Sequence, residues 1–447
     1  MTLTDYHIYT LPTGHHFGQR PDDFYLIYAP LSGNMLLADN KTVEQINKAI
    51  KHAEADTEIA GLLETLQDTS GNQIETIQHL EDYQVLYVLL NFTCNFSCSY
   101  CFSAKGRSNK ELSLSHLKAT LDYFISNNGS KNKNLKITFV GGGEPVMSWD
   151  LLKYGIEYAS SLAKKRGIEL FFGLITNGSI INEDILNTLS QYHVMPRISF
   201  EILEDIQNKQ RGQYQRVRKT INAMLSKGIP CEVRSMITPD NVHLLEEMTA
   251  EMIKYFPAIY TYYFDPITST DTFHEPEYTS NFYQIYNESF LKAGRLAKKY
   301  GKDVRNAVTR SLDTTVVRYC NGEFCLTPEG TFSICLEVSS PQEDDYEDHI
   351  YGFVDKENTV NIDFDKFYRL KEKETARKNP NCTSCFVRWN CGGGCLANNK
   401  QYPTEIVNII CESTRALAHQ LLLEKLNDDY IDQHGITLEE LIHNHAG

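Results

Sequence analysis

No apolar run in this 447-residue chain approaches the roughly 20 residues that a membrane-spanning helix needs. The sequence therefore predicts no membrane contact. Its start, MTLTDYHIYTLPTG, has neither a basic flank nor an apolar core, so no secretory signal is expected. Positive charge is also short. Lys and Arg number 43 against 58 Asp and Glu, giving a net charge of −15, a poor match for nucleic acid or an anionic lipid surface. Internal repeats and low-complexity tracts are absent. What remains is 41% hydrophobic and 23% charged, the composition of a globular cytoplasmic protein long enough for two or three domains.

Cysteine is not scarce, and in a reducing compartment it needs a reason other than disulfides. There are 12 cysteines. Three sit in NFTCNFSCSYCF as Cys94, Cys98 and Cys101, spaced C-x3-C-x2-C. Eight more lie between Cys320 and Cys411, and only Cys231 stands alone, on a strand where a buried core thiol is expected.

Around these groups the chain divides into three stretches. Residues 1–84 read as a small separate unit of strand, turn at Gly33–Asn34, strand and amphipathic helix. From 85 to 305, short apolar strands alternate with helical stretches. The strands are expected at 85–90, 135–140, 169–176, 195–200, 231–238 and 259–265. Six β–α units predict a parallel sheet, open or closed into a partial barrel, with its chemistry at the C-terminal strand ends. Residues 306–447 are rich in cysteine and turns, include the acidic stretch PQEDDYED (341–348), read as a solvated turn, and end in a helix at 413–426. His15, His16 and the terminal HNH have no cysteine neighbours in sequence and read as surface residues.

The three-cysteine segment follows the first strand and so lies at a catalytic edge. A closed zinc site wants four ligands; three thiolates on a four-iron cluster leave one iron open. A zinc site completed from afar, or free thiols in a loop, are the alternatives. After the second strand comes GGGEP (141–145), whose glycines admit close approach and whose Glu144 suits an ammonium group.

Together these segments resemble the radical S-adenosylmethionine (SAM) superfamily over most of 85–305. The resemblance implies that Cys94, Cys98 and Cys101 hold a [4Fe–4S] cluster whose open iron takes the methionine end of SAM. Gly142, Gly143 and Glu144 match the motif beside the SAM amino group, and Tyr100 an aromatic position near the adenine. In ISFEILEDIQNKQRG (198–212), Ser199 and Arg211 become candidates for the SAM carboxylate. Here the usual Asp-Gly of that segment is Glu201-Ile202, which puts the local turn in question. Asn177, before Gly178, is a further candidate, with an ordinary turn as its alternative.

The remaining cysteines read C-x9-G-x4-C (Cys320, Gly330, Cys335), then C-x2-C-x5-C-x3-C, then Cys411. Ligand count alone permits two zinc sites. The spacing is similar to the SPASM extension of peptide-modifying radical SAM enzymes, with two auxiliary [4Fe–4S] clusters. That resemblance places Cys320, Cys325, Cys335 and Cys395 on one, and Cys382, Cys385, Cys391 and Cys411 on the other.

The reaction implied is hydrogen abstraction from a precursor peptide followed by an intramolecular C–C, C–O or thioether cross-link. A low-potential donor such as flavodoxin or ferredoxin would supply electrons. Two alternatives stand beside it. One is oxidation of Ser or Cys to formylglycine, where the Asp expected after the third extension cysteine is replaced by Leu336 and Glu337. The other is a non-catalytic metal-binding protein that recognises peptides. The first 84 residues loosely resemble a winged-helix leader-recognition element, with a structural cap on the barrel as the alternative. Tyr260, Tyr262, Tyr263 and Phe264 are pocket candidates, each expected more often in the core.

Overall fold

The computed structural model describes residues 7–14, 24–52, 57–70, 74, 77–372 and 380–445. His15 and His16 lie outside them. Strands are numbered in chain order. β1 (Tyr9–Pro12), β2 (Phe24–Ala29) and β3 (Asn34–Asp39) form an antiparallel sheet in the order β1-β2-β3. Strict alternation gives it two apolar faces. Ile8, Ile27, Ala29 and Ala38 pack under the helices Asn40–His52 and Thr57–Gln67. Tyr9, Leu26 and Tyr28 turn the other way, onto Phe386, Val387 and the long helix Thr404–His434.

The main sheet begins with β4 (Val85–Leu89), β5 (Asn134–Val140), β6 (Glu169–Thr176), β7 (Met195–Ser199), β8 (Glu232–Ile237), β9 (Thr261–Pro266) and β10 (Asp303–Arg305). These strands are parallel neighbours in sequence order. Helices between them cover one face, as βαβ crossovers require. Their starts and stops follow local chemistry. Ser113 accepts from His116 N to open Leu114–Lys131, Asn182 accepts from Ile185 N to open Glu183–Gln191, and Gly167 ends Trp149–Arg166 at φ 63°. Leu86, Val88, Ile137, Phe139, Leu174, Ile198, Val233, Tyr262 and Phe264 fill the core beneath these helices. β4–β9 with their helices make the partial (β/α)6 barrel that the strand pattern predicts, and β10 adds a seventh parallel strand beyond it.

The same sheet continues into the cysteine-rich region. β11 (Phe324–Leu326) pairs parallel with β4, and β12 (Thr331–Ser333), β13 (Ile350–Val354) and β14 (Val360–Ile362) follow antiparallel, giving eleven strands. The C-terminal helix runs Thr404–His434, well beyond the 413–426 that apolar spacing suggests, and stops at Gly435 with φ 74°.

The acidic stretch is a largely exposed turn leading into a short helix, as the sequence predicts, with Tyr346 its one buried residue. Ser340 Oγ donates to Gly106 O at 3.0 Å and Asp344 pairs with Lys105 at 2.6 Å, so its start is fastened to the chain just after Cys101.

Candidate active site

The cysteine loop leaves the C-terminal end of β4 and is stitched to the loop after β5. Gly143 N donates to Asn91 O (3.1 Å), Glu144 N to Thr93 O (2.8 Å), and Asn91 Nδ2 to Glu144 O (3.0 Å). A side chain at Gly142 would strike the Phe92 ring, and one at Gly143 the Thr93 carbonyl. Part of the reason for glycine here is thus the close approach of the chain's own cysteine loop.

Glu144 is 2% exposed. Its carboxylate accepts from Thr176 Oγ1 (2.6 Å), Asn177 N (2.7 Å) and Val146 N (3.2 Å). Burial raises its pKa, and these hydrogen bonds work against the rise. Asn177 closes the side of the loop, with Nδ2 on Asn95 Oδ1 at 3.0 Å and 3.7 Å from Cys94 Sγ. Arg107 guards the other end, Nη2 lying 3.2 Å from Cys101 Sγ. Burial lifts the Cys98 thiol, the facing Arg211 charge opposes this, and Cys101 and Cys94 add to the rise.

Beyond β7, Ile202 sits at φ 68°. The left-handed turn that Asp-Gly would make survives without glycine, at a cost of about 1–2 kcal/mol. Glu201, fully buried, accepts from Ser235 Oγ (2.5 Å), from Met236 N (3.0 Å) and from the Tyr100 hydroxyl. Arg211 lies 3.8 Å from Glu201 and donates to the same hydroxyl at 2.8 Å. Burial raises the Glu201 pKa and the Arg211 charge opposes it. Among the described residues the buried Arg211 Nε has no acceptor, so its N–H suits a carboxylate. Ser199 ends β7, in register with Arg234 of β8.

The sheet's inner face is polar. Arg197 pairs with Glu232 at 2.7 Å, and its guanidinium lies 4.5 Å from the centre of the Tyr263 ring. Arg234 and Arg310 share Asp265, at 2.9 and 3.4 Å. Of the four aromatic candidates on and before β9, Tyr262 and Phe264 are core, Tyr260 is exposed, and Tyr263 alone faces this network through Glu232 (3.2 Å). Burial raises the Glu337 pKa, and the Arg234 charge opposes the rise.

The C-terminal cysteines separate into groups that feel one another's charge. Cys391 faces Cys411, Cys385 and Cys382; burial pushes it up to about 11 and these neighbours add to the shift. The four line a cavity of about 110 Å³ together with Cys395, Gly393, Gly394 and Arg388. Cys335, pushed up to about 12 mainly by burial, faces Cys395 and Glu323; Cys325 faces Glu323 and Cys335. Tyr87 faces both Cys320 and Cys325. Among the described residues no three His, Cys, Asp or Glu donors close on one point tightly enough for a single ion; a four-iron cluster spreads its ligands more widely. Cys231 is 6% exposed in the core, as its sequence context predicts.

Arg107, Asn95 and Ser235 carry no motif, and sequence reading misses them. Only their contacts reveal them.

Residues 88–253 match the Radical SAM superfamily. Residues 88–253 thus carry a radical SAM domain, and the chain is an enzyme, which removes the non-catalytic alternative. Over 353 residues it is 19% identical to a cysteine-type anaerobic sulfatase-maturating enzyme of Clostridium novyi (strain NT), covering 72% of this chain and 91% of that one. Over 155 residues it is 23% identical to the radical SAM cyclopropyl synthase TigE of Paramaledivibacter caminithermalis, a match that spans only 31% of either chain. In fold it resembles native anSMEcpe with bound AdoMet and Cp18Cys peptide, with a TM-score of 0.61 at 14% identity over 77% of this chain and 99% of that one.

Proposed function

We propose that this chain is a peptide maturase that installs an intramolecular C–C, C–O or thioether cross-link in a ribosomally made precursor. Cys94, Cys98 and Cys101 would hold the SAM-binding [4Fe–4S] cluster. Cys320, Cys325, Cys335 and Cys395 would hold one auxiliary [4Fe–4S] cluster, and Cys382, Cys385, Cys391 and Cys411 the other. The observation that carries the reading is the three-thiol loop at the end of β4, bonded to the Glu144 loop beside it.

Bound together, SAM and a reduced cluster supply the removal of a hydrogen atom from an unactivated carbon. The protein's own residues do the rest. Gly142 and Gly143 let the two loops close on each other, and Glu144 presents a buried carboxylate for the SAM ammonium. Arg211, steadied by Glu201 and Tyr100, offers a free Nε to the SAM carboxylate, with Ser199 nearby. Arg234, Asp265 and Arg310 line the inner face on which the peptide would lie. The leader segment would add as a strand beside β3, which ends its sheet. A low-potential donor such as flavodoxin or ferredoxin would supply electrons in the reducing cytoplasm. Among the described residues no helix is long and apolar enough to cross a membrane.

A second reading, oxidation of Ser or Cys to formylglycine, is favoured by the 91% coverage of the sulfatase-maturating relative and by Glu337, a buried carboxyl group within reach of the Arg234 charge. Its carboxylate would take the proton role there.

The test has two stages. Reconstituted protein with SAM and reductant under anaerobic conditions should form 5′-deoxyadenosine, and the Cys94, Cys98 and Cys101 triple Ala variant should not. Co-expressed precursor peptides should lose two hydrogens and resist fragmentation between two residues. A formylglycine product on a sulfatase-type substrate, with the peptides unchanged, decides for the second reading.

A further inference from the structure

Arg107 is not part of any motif, and its placement is specific. Nη2 lies 3.2 Å from Cys101 Sγ while Nη1 donates to Phe96 O at 2.8 Å, so one guanidinium spans the cysteine loop from within. The sulfurs of Cys101, Cys94 and Cys98 all lie within reach of its charge, and among the described residues no carboxylate pairs with it at ion-pair distance. A cluster's reduction potential depends on net charge and on hydrogen bonds to its sulfurs. A fixed cation and an N–H donor at one ligand sulfur favour the form carrying the extra electron.

The position of Arg107 is set from far along the chain. Its neighbour Gly106 is buried under Ser340, where an added Cβ would meet Ser340 Cβ at 2.8 Å and Glu343 Oε1 at 2.7 Å. Ser340 is fully buried and donates to Gly106 O at 3.0 Å. Glu343 holds that turn by accepting from Ser339 N (2.6 Å) and Ser340 N (2.9 Å). Ser340 follows Cys335 closely in sequence, so the region bearing the auxiliary cysteines clamps the segment bearing Arg107.

We propose that Arg107 raises the reduction potential of the SAM-binding cluster through its charge and its N–H···S bond to Cys101, and that Ser340 holds it in place. This rests on Cys94, Cys98 and Cys101 being the ligands of that cluster. The step concerned is transfer of one electron from a low-potential donor, oxidised by one electron, to the cluster, reduced by one. Arg107 is a positioning and tuning residue, not a catalytic one.

The test is a redox titration of the reconstituted full chain with titanium(III) citrate, followed by paramagnetic resonance, with iron counted per chain. The signal that changes when SAM is added marks the SAM-binding cluster. In Arg107→Gln, iron stays at the wild-type level and the midpoint of that signal moves negative. At a fixed donor potential the ratio of reduced to oxidised cluster falls on the order of tenfold, equivalent to about 59 mV for a one-electron couple. Arg107→Lys keeps the charge, loses the two-armed grip, and falls between. Ser340→Ala moves the midpoint the same way by less. An unchanged midpoint in Arg107→Gln with full iron overturns the tuning role. Loss of the SAM-responsive cluster in both Arg107 variants also overturns it, leaving Arg107 as loop scaffolding. An unchanged midpoint in Ser340→Ala overturns the clamp. If wild-type protein with full iron shows no SAM-responsive signal, the ligand assignment itself has failed and the proposal falls with it.

Discussion

Tyr28 Oη donates to Asn390 Oδ1 at 2.8 Å, joining positions 362 residues apart. Asn390 also donates to Thr314 O at 3.0 Å and stands immediately before Cys391. The N-terminal sheet is thereby fastened to a ligand candidate of an auxiliary centre. Tyr28→Phe leaves Asn390 Oδ1 buried without its donor, an expected loss of about 1–3 kcal/mol. Denaturant unfolding measures that loss. Iron per chain should fall while the SAM-responsive signal persists, and unchanged iron content would break the link to Cys391.

Ile202 inverts the usual ranking of small residues. Its φ of 68° costs any residue with a Cβ, and its side chain is 2% exposed. Ile202→Ala loses the packing and keeps the strain. Ile202→Gly loses the packing and relieves it, so the Gly variant should be the more stable by about 1 kcal/mol. Urea midpoints of the two variants decide this, and Ala above Gly would mean the turn is unstrained.

Glu201→Gln removes the carboxylate facing Arg211, whose side chain is only 8% exposed. An uncompensated buried charge costs about 3–5 kcal/mol. SAM affinity should drop with stability, because the Arg211 guanidinium loses the group that orients it. Glu201→Asp should recover part of both. Calorimetric titration with SAM alongside thermal unfolding separates the effects, and full SAM affinity in Glu201→Gln would remove Arg211 from the site.

Lys371 gives a pH dependence with a definite sign. Its Nζ donates to Ile77 O and lies 5.3 Å from the Phe367 ring centre; burial, with Arg318 nearby, lowers its pKa from 10.5 to about 8. Between about pH 8 and 10.5 the unfolded chain binds a proton that the folded chain does not. This group therefore adds stability as pH rises through that window. The stability difference between wild type and Lys371→Met should shift toward wild type over the same range, and a flat difference would mean the ammonium is not desolvated.

The six strands, and the meeting of the Cys94–Cys101 loop with the Glu144 loop, were legible because each rests on local pattern. β6 matches its predicted bounds of 169–176, and the other five barrel strands shift by two residues or fewer. The turn at Glu201–Ile202 was not legible, since its conformation is imposed by Ser235 and Met236 of β8 rather than by its own residues. The helix Thr57–Gln67 and the strands β11–β14 also escape the pattern. Three of those four strands are only three residues long, too short for alternation to register. Gly106 looks like any loop glycine until Ser340 is placed against it.

The pairing of β4 with β11 has a consequence for how the enzyme is made. During synthesis the first barrel strand emerges early, and its outer partner, Phe324–Leu326, only much later. Until then β4 presents an open edge of Leu86 and Val88, and a chain ending at residue 305 would keep that edge and tend to associate through it. The last thiol of the set, Cys411, arrives later still, inside the helix that also seats the N-terminal sheet. The loop bearing Cys94 is among the first parts translated, yet Ser340, which fastens Gly106 just beyond it, lies 234 residues further on, so that loop is completed only when most of the chain has been made.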